Sequence, residues 1–394
     1  MSRIGSADAV VIGAGIIGAA CAEALSAAGL RVLVLDRGAA ATGTTASGEG
    51  NVLLSDKAPG PELELAIASR RRWPELLTSL REEIGEAAEA EWEPKGGLVV
   101  ATDEAAAAPL AALTAAQRAA GVEAIDLEPD EARNLEPHLT EAVRAAASYP
   151  GDAQLQPVLA ATALLAAVRA RGGEVRGGTE AHGLVLSRGA VAGVRVEGGT
   201  IPCGAAVNAC GPWAGHFGIA AGAPITVMPR RGMVLVTAPL PPVVRRKVYA
   251  ADYVAAVASS DVDLQVSAVV EATATGTVLI GSSRQRVGFD DALEVAVLRR
   301  LAREAIRLFP VLAGVPVMRT YGGFRPYTPD HLPVVGEDPR VPGLWHATGH
   351  EGAGIGLAPA TGKLLADLLC GNGTEVDPAP FRVDRPGLLE EARA

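Results

Sequence analysis

The amino-acid sequence predicts an α/β fold, α+β over the whole chain, on three observations. Near the N-terminus a short β-branched run, Ala9 to Ile12, ends in Gly13-Ala-Gly-Ile-Ile-Gly18, which opens an Ala-rich helix. Between Thr226 and about Ser283, alternating segments such as Met233 to Thr237 and Val278 to Ile280 have the period of antiparallel strands. The length, 394 residues, is too great for one simple core and implies two interwoven domains.

Along the chain, the first strand, glycine turn and helix are followed by a second strand from Arg31 to Leu35, ending at Asp36. This is the opening unit of a parallel sheet. Residues Ala39 to Asn51 are small, polar and Gly-rich, too irregular for a simple turn, and a helix is expected from about Pro61 to Leu80. Gly97 to Thr102 reads as a strand and Glu104 to Ala120 as a helix stopped by Gly121. The Ala tract of that helix is explained by helix propensity. A helix from Pro157 to Arg171 leads through Gly172-Gly173 into strands near Val175, Leu184 to Leu186 and Val191 to Val196, and then Ala205 to Cys210. Past the alternating region come a helix from Leu293 to Phe309, a strand at Leu344 to Ala347, a Gly-rich turn and a last helix to Leu369. The expected division assigns 1–85, 145–217 and 318–394 to a discontinuous Rossmann-like cofactor domain. It leaves 86–144 and 218–317 to a second domain with a mixed or antiparallel sheet.

Composition narrows the function. A net charge of −10 and the lack of a basic run with interleaved aromatics make nucleic acid an unsuitable partner. Cys21, Cys203, Cys210 and Cys370 are scattered, which argues against a disulfide frame or an iron–sulfur centre, and no HxH or HExxH is present to hold a metal. No run of about 18 apolar residues escapes a charge or helix breaker, so a membrane span is not expected. The chain enters its first strand almost at once instead of through a basic, cleavable leader, so a cytoplasmic location is expected.

In Gly13-x-Gly15-x-x-Gly18 the first glycine permits the tight turn, the second lets the backbone approach a pyrophosphate, and the third lets helix pack on strand. The helix N-terminus offers unsatisfied N–H groups and a positive dipole end to phosphate. Asp36 stands where a carboxylate accepts hydrogen bonds from a ribose, and its charge disfavours a 2′-phosphate. Two further segments bear on which dinucleotide binds. Thr44-Thr-Ala-Ser47-Gly48 offers hydroxyls and N–H groups able to close over phosphates or a flavin ring. Gly349-His-Glu-Gly-Ala-Gly354-Ile-Gly356 precedes an apolar helix, and such a helix start stabilises the negative charge of a reduced flavin.

On these motifs the chain resembles the D-amino-acid oxidase, glycine oxidase and sarcosine oxidase family of FAD-dependent oxidoreductases. The resemblance rests on Val10 to Gly18, Thr44 to Gly48, Asn208-Ala-Cys-Gly-Pro-Trp213, Pro229-Arg-Arg-Gly232, Gly322-Gly-Phe-Arg-Pro326, Thr328-Pro-Asp330, Pro333-Val-Val-Gly336 and Gly349 to Gly356. Asn51 to Gly60 and Tyr321 to His331 most resemble flavin β subunits of hetero-oligomeric dehydrogenases acting on hydroxyproline, proline, opines or glycine. The resemblance implies that Gly13, Gly15, Ile16, Ile17, Gly18, Asp36 and Arg37 hold the adenosine and pyrophosphate. It puts Thr44, Thr45, Ser47, Gly48, Gly50 and Asn51 near the ribityl chain and flavin, and Gly211, Trp213 and Gly323 beside the cofactor. Gly352, Ala353, Gly354, Ile355 and Gly356 would cover the flavin pyrimidine, and Arg325 would pair with a substrate carboxylate. Asp36 replaces the family's more usual Glu. No residue stands at a known covalent attachment motif, so FAD is expected to bind noncovalently. The lysine that some members use with oxygen has no match here.

Oxidation of an amine by flavin requires orientation of the Cα–H bond and exclusion of water, and little acid–base machinery. One fixed guanidinium suits this task, because two parallel hydrogen bonds set position and angle together. Arg325 is thus the first candidate, with Tyr327, Tyr253 and His350 as further candidates beside the substrate. Arg230 and Arg231 read as ordinary surface charge, and a solvated carboxylate explains Glu49 as well as a role at the flavin does. The expected function is oxidation of the C–N bond of a small or cyclic amino acid, with electrons passing to oxygen or a partner subunit. The alternatives are an NAD-linked dehydrogenase and a flavin-binding subunit whose partner does the chemistry.

Overall fold

The computed structural model describes residues 7–253 and 263–389. Strand β1 (Ala7–Ile12) is followed by α1 (Ile16–Ala27) and β2 (Val32–Leu35), and β1 pairs with β2 in parallel. The β-branched run is buried because both faces of this sheet are covered. Helix α2 (Pro61–Ile84) starts on a proline that has no N–H to leave unpaired, and runs a turn beyond its expected end to Gly85. Strand β3 (Gly199–Asn208) is longer than the expected Ala205 to Cys210 and lies parallel to β1 on its other side. Glu174–Arg176 extends the sheet beyond β2, and Leu344–Thr348 and Val334–Glu337 extend it beyond β3. The result is the α/β layer expected from the first motif.

The second sheet has eight strands and is antiparallel at all but one pairing. It contains β4 (Met228–Thr237), β5 (Lys247–Ala250), β6 (Gln265–Ala272) and β7 (Val278–Arg284). Helix α3 (Val295–Leu308) lies on it through Val297, Leu301, Ala305 and Leu308, spaced as one helical face. Strand β8 (Val317–Tyr327) forms the edge, pairing with β4 so that Arg325 faces Arg230 and Gly323 faces Gly232. β8 and the strand Ala145–Tyr149, which the expected boundaries give to the cofactor domain, both hydrogen-bond within this second sheet. No described helix is long and apolar enough to cross a membrane.

The last helix, α4 (Gly354–Cys370), packs along α1. The approach is close because Gly362 has no side chain: a Cβ there would come within 2.6 Å of the Ala20 carbonyl carbon. Trp73 of α2 donates from Nε1 to the Ile355 carbonyl at 3.1 Å and ties down the start of α4. Packing thereby brings the N-termini of α1 and α4, far apart in sequence, to one place.

Candidate active site

Both helix starts open on a cavity of about 640 Å³ between the two sheets. Neither helix has an acidic residue in its first turn, so neither positive dipole end is neutralised locally. The turn into α1 is held from two sides. Asp36 accepts from the Ala14 N–H at 2.8 Å with one oxygen and from the Gly38 N–H at 2.8 Å with the other. Thr45 Oγ1 accepts from the Ile16 N–H at 2.9 Å. Thr44 donates to the Phe324 carbonyl at 2.6 Å and Ser47 to the Gly322 carbonyl at 3.2 Å. These two hydroxyls therefore stitch the 3-10 turn Thr44–Ser47 to β8, whereas the sequence left them free to close over a ligand. Gly323 makes the stitch possible, since a Cβ would lie 2.7 Å from Ser47 Oγ.

Of the residues expected at the cofactor, Gly13, Gly15, Ile16, Ile17, Asp36, Arg37, Thr44, Thr45, Ser47, Gly48, Asn51, Gly211, Trp213, Gly323, Gly352, Gly354 and Ile355 line the cavity, together with Arg325, His350 and Tyr253. The remaining ones stand behind its wall. Gly18 is a packing contact, where a Cβ would lie 3.0 Å from the Gly13 carbonyl carbon. Gly50, at φ +85°, lets the chain pass Leu155, and Gly356 lets α4 pass the Asn51 carbonyl. Ala353 caps α4 without reaching the cavity. Tyr327 is buried between the guanidinium groups of Arg230 and Arg286, 5.6 and 5.2 Å from its ring centre, and does not reach the site.

At the outer end Arg37 lies 4.2 Å over the Trp213 ring, which stacks on Phe289 at 5.2 Å. Glu180, His182 and His216 also line this end. No sequence signal marked them, because sheet pairing and the short helix Ala214–Ala220 bring them there.

At the inner end the Arg325 guanidinium lies over Gly232, where a Cβ would sit 2.7 Å from its Cζ. It donates to the Ser283 carbonyl at 2.9 Å and, among the described residues, has no carboxylate within ion-pair distance. Burial, and then repulsion by Arg284, push its pKa down to about 10, still a cation at neutral pH. Arg284 is itself buried over the Tyr253 ring at 4.6 Å. Arg230 and Arg231 are not surface charge. Both are buried, Arg230 paired with Glu351 and Arg231 with Asp290 and Glu294. His350 is a helix-entry histidine whose Nε2 meets Thr361 Oγ1 at 3.0 Å, and burial holds it neutral with a pKa near 3. Glu49 is buried rather than solvated.

The wall fits a dinucleotide. A side chain at Gly15 would meet only Thr45 Oγ1, at 3.2 Å, and would otherwise grow into the cavity, and one at Gly352 would meet only Arg325. Bare backbone thus faces the space at both helix starts, where phosphate and an electron-rich ring are favoured.

Comparisons with known proteins agree with this geometry. The sequence matches the family described as DAO, FAD dependent oxidoreductase, over residues 8–368. It is 31% identical over 383 residues to glycine oxidase from Geobacillus kaustophilus, covering 96% of this chain and 97% of that one. It is 29% identical over 416 residues to the hydrogen cyanide synthase subunit HcnC of Pseudomonas aeruginosa, covering 96% of each chain. The crystal structure of glycine oxidase from Geobacillus kaustophilus superposes with a TM-score of 0.86 at 29% identity, over 96% of this chain and 99% of that chain. Two helix starts around one dinucleotide-sized cavity, matched end to end in sequence and fold, place this protein in the DAO family of FAD-dependent oxidoreductases.

Proposed function

We propose that this chain oxidises the C–N bond of a small or cyclic amino acid, passing hydride from Cα to noncovalently held FAD and releasing an imine. The observation that carries the reading is the buried cation Arg325, which lines the cavity with a second buried cation, Arg284, close to it. A guanidinium that faces a cavity with one backbone acceptor and no carboxylate is matched by a ligand carboxylate, which accepts two parallel hydrogen bonds. In this reading Gly13, Gly15, Asp36, Arg37 and the α1 start hold the adenosine and pyrophosphate. The turn Thr44 to Asn51, Gly211, Trp213, Gly323 and the α4 start hold the ring end. Bound FAD supplies the hydride acceptor. Arg325 fixes the carboxylate, Tyr253 lies beside it, and the bonds of Thr44 and Ser47 to β8 hold the turn and the strand together as one wall of the site. His350, neutral and bonded to Thr361, contributes shape and no charge.

The relatives named glycine oxidase support an amino-acid substrate. The relative named as a subunit of hydrogen cyanide synthase supports transfer of electrons to a partner subunit. The direct test is anaerobic addition of glycine, D- and L-proline, hydroxyproline and other small amino acids, one at a time, to the yellow protein. Bleaching of the flavin by at least one is expected, and none doing so overturns the reading. For the electron acceptor, turnover with an artificial dye should exceed turnover with oxygen. Equal rates from the isolated chain would dismiss the partner subunit.

A further inference from the structure

We propose that Glu49 binds the ammonium group of the substrate and thereby makes the site selective for amine-bearing acids. The inference rests on the amino-acid reading above and deepens it. Glu49 follows the 3-10 turn Thr44–Ser47, lines the same cavity as Arg325 and is 8% exposed. Its Oε1 is buried and, among the described residues, has no hydrogen-bond partner. The carboxylate is set into the second sheet: a Cβ on Gly281 of β7 would lie 2.9 Å from its Cδ and 3.2 Å from Oε2. A glycine there leaves room for the acid to lie against bare backbone.

A buried carboxylate without a partner is costly, and proteins remove that cost by pairing the group or by giving it a ligand. Among the described residues the charged partners nearby are already paired. Glu351, the other acid at the inner end, is held by Arg230 and by His331 at 3.0 Å. Lys247, the cation on β5, bonds Glu271 at 2.6 Å and also Asn51. Both Lys247 and Glu271 are almost wholly buried, so that ammonium is shared by two carboxylates, Glu271 in contact and Glu49 nearby. Arg325 donates to the Ser283 carbonyl. Among the described residues, the cavity is thus lined by one carboxylate with a buried oxygen free of hydrogen bonds, Glu49, and by the Arg325 guanidinium. An α-amino acid carries the opposite charges on a single carbon. Carboxylate on Arg325 and ammonium on Glu49 would fix Cα at two points, and the two N–H bonds of a cyclic ammonium suffice as well as the three of a primary one.

The test uses the FAD-loaded protein, titrated anaerobically with two ligand pairs that differ in the amine: glycine with acetate, and proline with cyclopentanecarboxylate. Binding is read from the shift of the flavin spectrum, or from half-saturation of bleaching where reduction occurs. Wild type should bind the amine-bearing member of each pair more tightly. Glu49→Gln, of the same shape without the charge, should weaken glycine and proline by roughly tenfold or more while leaving the amine-free acids within about twofold, since a charged hydrogen bond is lost from one side only. Glu49→Ala should do the same with FAD content intact. Equal weakening of both members of a pair, no weakening of either, or loss of FAD would each overturn the proposal. If no amino acid bleaches the wild-type flavin, yet amine-bearing acids still bind preferentially in a Glu49-dependent way, the oxidation reading falls and the ammonium site stands.

Discussion

The end of the cavity at Asp36 and the end at Arg325 use similar materials and finish them in opposite ways. At the first, both Asp36 oxygens accept backbone N–H groups, Thr45 serves the Ile16 N–H, and Arg37 rests on Trp213. That end is satisfied by the protein itself and meets a ligand with shape, bare glycine and helix dipoles. At the second, among the described residues, Arg325 has one backbone acceptor, and Glu49 Oε1 and His350 Nδ1 have no hydrogen-bond partner. There the ligand must complete the polar network, and polar groups left unpaired are what discriminate between substrates. In the proposed reading the self-satisfied end gives affinity for the cofactor, while the incomplete end gives specificity.

Three substitutions separate the two ends. The largest effect is expected from Gly15→Val, which grows a branched side chain into the cavity where the proposed reading puts the pyrophosphate. The purified variant should be colourless, with visible flavin absorbance relative to protein near zero. A yellow variant would mean that the cavity is used differently. Next is Arg325→Ala. Two charged hydrogen bonds of about 1.5–3 kcal/mol each imply a fall in kcat/KM of roughly 100-fold or more, as about 1.4 kcal/mol is tenfold. FAD content should be unchanged, and the Tm of the ligand-free protein unchanged or higher, because an unpaired buried cation is removed. A decarboxylated amine should lose far less than the amino acid, and equal losses would make Arg325 structural. Thr45→Val works in the opposite sense. It leaves the buried Ile16 N–H without its acceptor, costing about 1–3 kcal/mol, so Tm should fall even without substrate.

The sequence disclosed these two ends unequally. The Asp36 end was legible because its constraints are local: a tight turn, a close backbone approach and an acid at the end of the next strand all occur within Gly13 to Asp36. The α4 start was legible for the same reason. The inner end is made by β-sheet register, which no local pattern encodes. Nothing in Pro229-Arg-Arg-Gly232 says that Arg230 and Arg231 are buried, since their partners Glu351, Asp290 and Glu294 arrive from distant segments. Glu49 reads as a loop acid until Gly281, on another sheet, is seen to enclose it. Tyr327 shares a face of β8 with Arg325, two residues further along, but it is buried against Arg230, Arg286 and His331, contacts that no local pattern encodes, and does not line the cavity. The hydrogen bonds of β8 run to the second sheet, a pairing that no local pattern in the strand encodes.

Behind the inner end lies a further polar group that is fully paired and still titrates, and it gives the smallest expected effect. Asp152 is buried, accepts from the Leu54 N–H at 2.8 Å and from the Ser55 hydroxyl, and Ser55 in turn accepts from Tyr249. Burial outweighs these bonds and raises its pKa to about 6. In the unfolded chain the same carboxyl ionises near pH 3.9. The folded form therefore holds the proton more tightly, so the stability gained from this group is full at low pH and is lost as pH rises through about 6. Between pH 5 and 7.5 the loss amounts to about 1 kcal/mol by proton linkage. Asp152→Asn keeps a neutral group of the same shape and has nothing to titrate. The variant should thus gain on wild type in Tm as the pH is raised from 5 to 7.5, with FAD saturation held fixed. A Tm difference independent of pH would show that Asp152 is already ionised at pH 5, and that the bonds from Leu54 and Ser55 prevail over burial.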